Sequence, residues 1–131
     1  GFRQLKRSRF TPRIPRIFGV QARACSPIYD AFSRGATEAV AIAPRATVAI
    51  GIQVEDPPRA PEVLAAIRDT GGAILSVSDS EIRRGQALAA NLGWYVEPAS
   101  AAAVAGVVKL DRLIPDGESV LVPLTGSGLK Q

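Results

Sequence analysis

At 131 residues the chain is long enough for one hydrophobic core and too short for two domains of ordinary size. It is 47% hydrophobic, 21% charged and 5% aromatic, a globular composition, and it has one cysteine, Cys25, and no histidine. That excludes an intrachain disulfide, a cysteine-cluster metal site, His-ligated zinc and imidazole acid–base chemistry. The net charge of +4 is uneven, because residues 1–34 carry eight Lys/Arg against the single acid Asp30.

In chain order, Phe2, Leu5 and Phe10 give a weak helical signal over 2–10, ended by Pro12. The β-branched and aromatic residues of 16–21 predict a short strand. Ser26 before Pro27 predicts a helix start, with Ser26 as N-cap and proline at the first helical position. Ile28, Ala31 and Phe32 form that helix's apolar face, and Gly35 closes it. Residues 36–59 are irregular apart from an apolar stretch at 47–54, read as a turn and short strand ended by Pro57 and Pro58. A clearer helix covers 62–70, with Val63, Leu64 and Ile67 on one side and Gly71-Gly72 as its stop. Residues 73–77 alternate as a strand does.

Ser78 and Glu81 have the spacing of a capping box, opening a helix to about Leu92 with Ile82, Leu88 and Leu92 facing inward. Residues 94–96 read as a brief strand, with Trp94 and Tyr95 packing the sheet. Pro98 opens an alanine- and valine-rich helix that reaches Leu110, its alanines permitting tight packing. After a turn at Pro115-Asp116-Gly117, residues 119–124 are nearly continuous in Val and Leu and predict a buried strand. Strands alternating with helices of this length imply an α/β fold, a mainly parallel sheet with flanking helices, in a single domain over 1–131.

Open α/β sheets bind ligands beyond the carboxyl ends of their strands. Two segments have the shape to sit there. One is Val96-Glu97-Pro98-Ala99-Ser100, a strand running into a helix start; the other is Leu124-Thr125-Gly126-Ser127-Gly128, a strand opening into a glycine loop. The glycines permit close backbone approach, and the hydroxyls of Thr125 and Ser127 offer neutral hydrogen bonds. The same residues also allow plain structural roles: Glu97 near a helix N-terminus, Ser100 as a first-turn cap, Gly126 and Gly128 as an ordinary turn. Cys25 reads as a small buried or half-buried residue. The basic segment 1–34 reads as solvated surface or as a segment that faces a missing domain, since no aromatic pattern interleaves with it as nucleic-acid binding requires.

Taken together, Pro15-Arg16-Ile17-Phe18-Gly19-Val20-Gln21-Ala22, Ser26-Pro27-Ile28, Thr47-Val48-Ala49-Ile50-Gly51-Ile52, Asp69-Thr70-Gly71-Gly72, Val77-Ser78-Asp79-Ser80-Glu81-Ile82, Val96-Glu97-Pro98-Ala99-Ser100-Ala101 and Leu124-Thr125-Gly126-Ser127-Gly128-Leu129-Lys130 resemble, in order and spacing, the second half of threonine synthases within the fold-type II pyridoxal-phosphate enzymes. The resemblance implies part of the large domain of such an enzyme. It implies that Thr125 hydrogen-bonds the cofactor's pyridine nitrogen, that Glu97 and Gly126 lie at the edge of the cofactor site, and that Ala49 and Ile50 flank the ring. The complete family converts O-phospho-L-homoserine and water to L-threonine and phosphate.

Two departures shape the expectation. The family's cofactor-binding lysine and its Gly/Asn-rich phosphate loop precede everything present here, and Lys6, Lys109 and Lys130 match neither context. Gln53-Val54-Glu55-Asp56 stands where the family has a basic residue and Gly-Asn. The chain is therefore expected to be the C-terminal portion of a threonine-synthase-like enzyme, with no catalytic residue or metal of its own, inactive and without bound pyridoxal phosphate when alone. Expected partners are a missing N-terminal half or upstream polypeptide, a homodimer mate across exposed apolar surface, and an amino-acid phosphate substrate in the complete enzyme. Nucleic acid and membrane are not expected, and the location is expected to be cytoplasmic. The alternatives are a threonine-dehydratase-like fragment and a non-enzymatic binding module that has kept the fold.

Overall fold

Two short parallel strands form the centre of the computed structural model, which describes residues 1–130; the side chains of Arg112 and Lys130 lie outside the described residues. Strand β1 (Gly19–Ala22) pairs with β2 (Ile74–Val77) in the register Gly19↔Ile74 to Ala22↔Val77. The Gly19 N–H donates to the Ala73 carbonyl (2.9 Å) and the Arg23 N–H to that of Val77 (2.7 Å), so the ladder runs just past both strand ends. Parallel neighbours need a long crossover, here supplied by helix α2 (Pro27–Ser33), an irregular stretch and α3 (Ala60–Asp69).

The helix ends follow from local chemistry. Helix α3 stops because Gly71 takes a φ of +68°, which lets the Gly71 and Gly72 N–H groups return to the carbonyls of Arg68 and Ile67 (3.0 and 3.1 Å). A side chain at Gly72 would collide with the Ile17 carbonyl, so the same residue also admits the chain leading into β1. The capping box forms as the sequence implies. Glu81 N–H donates to Ser78 Oγ (3.3 Å) while the Ser78 N–H donates to the Glu81 carboxylate (2.7 Å), opening α4 (Asp79–Asn91).

Helices α4 and α5 (Pro98–Leu110) pack on each other through small residues, and α5 packs on both strands. A Cβ on Gly85 would lie 2.8 Å from the Ala101 carbonyl oxygen and 3.0 Å from Ala105 N, so the helices meet backbone to backbone there. Ala101, Ala102 and Ala105 are buried beside Ala22, Val77, Ile82 and Val96, which gives the alanine run the packing role expected of it.

Several expectations change. The first helix, α1 (Phe2–Arg7), ends well before Pro12, with Arg9 in the left-handed region at φ 60°. Ser26 makes no side-chain cap, and α2 starts on the pre-set φ of Pro27. The 47–54 stretch forms a 3-10 turn at Ile50–Ile52 instead of a strand. The 94–96 segment makes one antiparallel bridge, Val96 to Ser127, and Trp94 and Tyr95 face solvent. Of the three residues expected to face inward on α4, Ile82 is buried, whereas Leu88 and Leu92 are exposed because the buried face continues through Gly85 and Ala89. Residues 119–124 are neither paired nor buried.

Several bases of the first 34 residues are committed within the chain. Arg3 pairs with Asp69, Arg16 with Glu118 (2.6 Å) and Arg23 with Glu81 (3.5 Å). Among the described residues, no helix is long and apolar enough to cross a membrane.

Candidate functional site

The two segments singled out in the sequence meet at the start of α5. The Glu97 N–H donates to the Gly126 carbonyl (3.1 Å) and the Gly128 N–H to the Tyr95 carbonyl (3.0 Å), on either side of the Val96–Ser127 bridge. Ser100, on the first turn of α5 and 2% exposed, joins them: its Oγ accepts the Gly126 N–H at 2.8 Å and lies 3.2 Å from Thr125 Oγ1. Thr125 itself is exposed. When Ser100 donates its own proton to Thr125, the Thr125 hydroxyl keeps its proton for an acceptor outside the chain.

Glu97 is the N-cap residue of α5 by position, yet its side chain does not cap. Its carboxylate lies against Gly126, in the space a Cβ at that position would need, so a side chain there would push the Glu97 carboxylate aside. The site therefore has a neutral hydroxyl flanked by glycine backbone and one carboxylate at the rim.

The 3-10 turn sits against the same helix end, since a Cβ on Gly51 would be 3.2 Å from that of Ala99. Asp79, in the first turn of α4, fixes the approach to the turn. One carboxylate oxygen accepts the Thr47 hydroxyl (2.6 Å) and the other the Val48 N–H (3.1 Å). Ala49 and Ile50, adjacent in sequence, have opposite placements. Ala49 is fully buried and backs the site from the core, while Ile50 is 74% exposed and presents an apolar side chain. The structure thus brings Thr125, Gly126 and Glu97 together directly, and sets the Ala49–Ile50 turn beside the same helix start.

A second polar cluster lies around Glu81. Its carboxylate meets Lys109 Nζ (3.1 Å), which also donates to the Ser76 carbonyl (2.8 Å). The Ser78 backbone N–H, with the Lys109 and Ser78 side chains adding to it, holds the Glu81 carboxyl down to about 2 despite partial burial. Cys25 is fully buried as expected; burial, and then the nearby Glu55 charge, push its thiol up.

Two residues to which the sequence gives only minor roles prove central. Ser100 reads within a motif as a first-turn cap, but its partners are 25 and 26 positions away. Asp79 reads only as part of a helix start. Nothing local in the sequence marks either long-range bond; a serine on the first turn of a helix whose N-cap residue is Glu is the nearest available signal.

A family profile described as "Pyridoxal-phosphate dependent enzyme" matches residues 1–126. Threonine synthase of Methanocaldococcus jannaschii is 35% identical over 99% of this chain and 33% of its own length. That of Methanosarcina acetivorans is 41% identical over the same shares. The chain thus spans about a third of the length of these curated relatives. Among solved structures, a threonine deaminase from T.th. superposes with a TM-score of 0.64 and 21% identity, over 91% of this chain and 44% of that one, a likeness of fold. The parallel α/β core and a profile match covering nearly the whole chain place this chain in the pyridoxal-phosphate-dependent enzyme family.

Proposed function

We propose that this chain supplies one wall of the pyridoxal-phosphate site of a threonine-synthase-type enzyme. The observation that carries the reading is the Ser100–Thr125–Gly126 arrangement, in which a buried hydroxyl fixes the loop and positions an exposed one. These residues fit the group. Thr125 offers its hydroxyl to the ring nitrogen, Gly126 is tied through its own backbone groups to Ser100 and Glu97, Glu97 stands at the rim and Ile50 flanks the ring face.

When bound, pyridoxal phosphate supplies an electron-accepting ring to the substrate carbons. The contribution of Thr125 is to hold the ring nitrogen without the negative charge that would favour its protonation. Ser100, sealed from water, keeps that hydroxyl in place. The cofactor-binding lysine and the phosphate loop come, in this reading, from a polypeptide N-terminal to these residues. The whole enzyme then converts O-phospho-L-homoserine and water to L-threonine and phosphate. The sequence similarity is to threonine synthases, which favours that reaction over the dehydratase alternative.

The test combines this chain with the M. acetivorans threonine synthase truncated before its matching segment. The chain alone with pyridoxal phosphate is expected to give no borohydride-reducible visible band. The mixture is expected to give that band and to form threonine. Thr125→Val in the mixture should move the band and lower kcat about tenfold, the worth of one hydrogen bond of about 1.5 kcal/mol. An unchanged spectrum and rate would remove Thr125 from the ring, and a reducible band from the chain alone would overturn the assignment of the lysine to another segment.

A further inference from the structure

At the other end of α5 from Ser100, three cations from different parts of the chain line one open cavity of about 460 Å³. Arg23 follows β1, Arg45 lies in the irregular stretch, and Lys109 is in the last turn of α5. Ser26, Tyr29 and Asp30, at the entry to α2 and in its first turn, line the same cavity.

The cations are not equally engaged. Lys109 and Arg23 share the Glu81 carboxylate, at 3.1 and 3.5 Å, and Lys109 also donates to the Ser76 carbonyl at 2.8 Å. The Arg45 guanidinium has no hydrogen bond or ion pair among the described residues, although its backbone N–H is fixed on the Ala24 carbonyl at 3.0 Å. Nor do the hydroxyls of Ser26 and Tyr29, or the Asp30 carboxylate, have a partner among those residues. Ser26 is only 6% exposed, so its hydroxyl depends on the cavity for a partner.

A guanidinium presents N–H donors in a fixed fork, and hydroxyls add further donors, a set that matches phosphate oxygens. Three cations set against Asp30 and the shared Glu81 leave one positive charge in excess. Asp30 narrows the ligand further. A carboxylate repels a fully deprotonated oxyanion, but it accepts a hydrogen bond from one that carries a proton, an ammonium or a hydroxyl. At neutral pH phosphate keeps a proton and sulfate keeps none. The cavity also leaves room for the organic part of a small phosphate ester.

We infer that this cavity is a phosphate-binding site. Arg45 and Arg23 hold the phosphate oxygens, and Ser26 and Tyr29 donate to them. Asp30 accepts from the ligand's own donor, the P–OH of free phosphate or the ammonium or hydroxyl of a small ester. The site uses no residue of the cofactor wall, so its test is independent of the proposed function.

That test is a set of NMR titrations of the full, isotope-labelled chain at constant ionic strength, with sodium phosphate, O-phospho-L-serine and sodium sulfate. Phosphate or phosphoserine is expected to give saturable shifts at residues 23–30 and 45, with sulfate at least about tenfold weaker. Arg45→Ala is expected to weaken phosphate binding at least about tenfold and to leave the melting temperature unchanged, because that side chain holds nothing else in the described structure. Asp30→Asn is expected to bring sulfate and phosphate to comparable affinity, which general attraction to a basic surface does not produce. Tighter binding of phosphoserine than of phosphate assigns the site to an ester bearing an ammonium, and the reverse assigns it to free phosphate. Shifts that never saturate, sulfate binding equal to phosphate in the unaltered chain, or undiminished binding by Arg45→Ala would each overturn the inference.

Discussion

Glu81 serves three neighbours at once: the Ser78 backbone at the start of α4, the Lys109 ammonium on α5 and, at longer range, Arg23 after β1. Its carboxyl titrates near 2 in the folded chain against 4.5 for an unperturbed glutamate, so the unfolded state binds more protons across that window. Stability from this group is complete above about pH 4.5 and is lost as pH falls toward 2. The upper bound is about 3 kcal/mol, reduced by solvent because a quarter of the side chain is exposed. Glu81→Gln is expected to be less stable at pH 7 and to flatten urea midpoints between pH 5 and 2; an unchanged acid slope would show that the cluster contributes nothing. At this scale the sequence is a partial guide. Glu81 is legible as a cap because capping is local, whereas its bond to Lys109 joins residues 28 positions apart in different helices. Thr125, Gly126 and Glu97 are legible through motifs, and the role of Ser100 is not, because a hydroxyl's partner across a fold leaves no periodic trace.

Between elements, the packing around α5 depends on glycine in two different ways, at Gly85 where α4 meets it and at its own Gly106 where it meets β1. The Cβ of Gly85→Ala would meet backbone atoms of Ala101 and Ala105, which cannot move without shifting a helix. That of Gly106→Ala would meet Val20 Cγ2 at 2.5 Å, a side-chain methyl. Both substitutions are expected to destabilise, with Gly85→Ala at or beyond the upper end of the roughly 1–3 kcal/mol typical of overpacking. Val20→Ala should recover stability in Gly106→Ala and none in Gly85→Ala, as read by urea unfolding of the single and double variants. Rescue of both, or of neither, would place the crowding elsewhere. Helices are legible because caps, stops and 3.6-residue spacing are written locally. The inward face of α4 is legible only at Ile82, because Leu88 and Leu92 outweigh Gly85 and Ala89 in the sequence, while the close contact with α5 is made by the small ones. Residues 119–124 carry a strand's composition without a strand's geometry, since pairing depends on a neighbour that composition cannot name.

Across the whole molecule, two parallel strands carry a core made largely of alanine and valine, while Trp94, Tyr95, Leu124 and Leu129 in the two site segments stand in solvent. The architecture class is readable from the alternation of element types. The short sheet is not, because the strength of apolar runs overstates how many strands these residues complete by themselves. The basic first segment, which reads as solvated surface, has at least three of its arginines in ion pairs, and these tie it to the body of the fold.

The burial of Cys25 gives the molecule its own clock. There is one thiol, it has no exposed surface, and its raised pKa leaves little thiolate at neutral pH. A thiol reagent such as dithionitrobenzoate therefore reports how often the core opens. Labelling at pH 8 is expected to be slow, to reach one equivalent per chain, and to accelerate with urea in step with loss of structure. Rapid labelling of the native chain would show that β1 and α2 part far more readily than their packing implies.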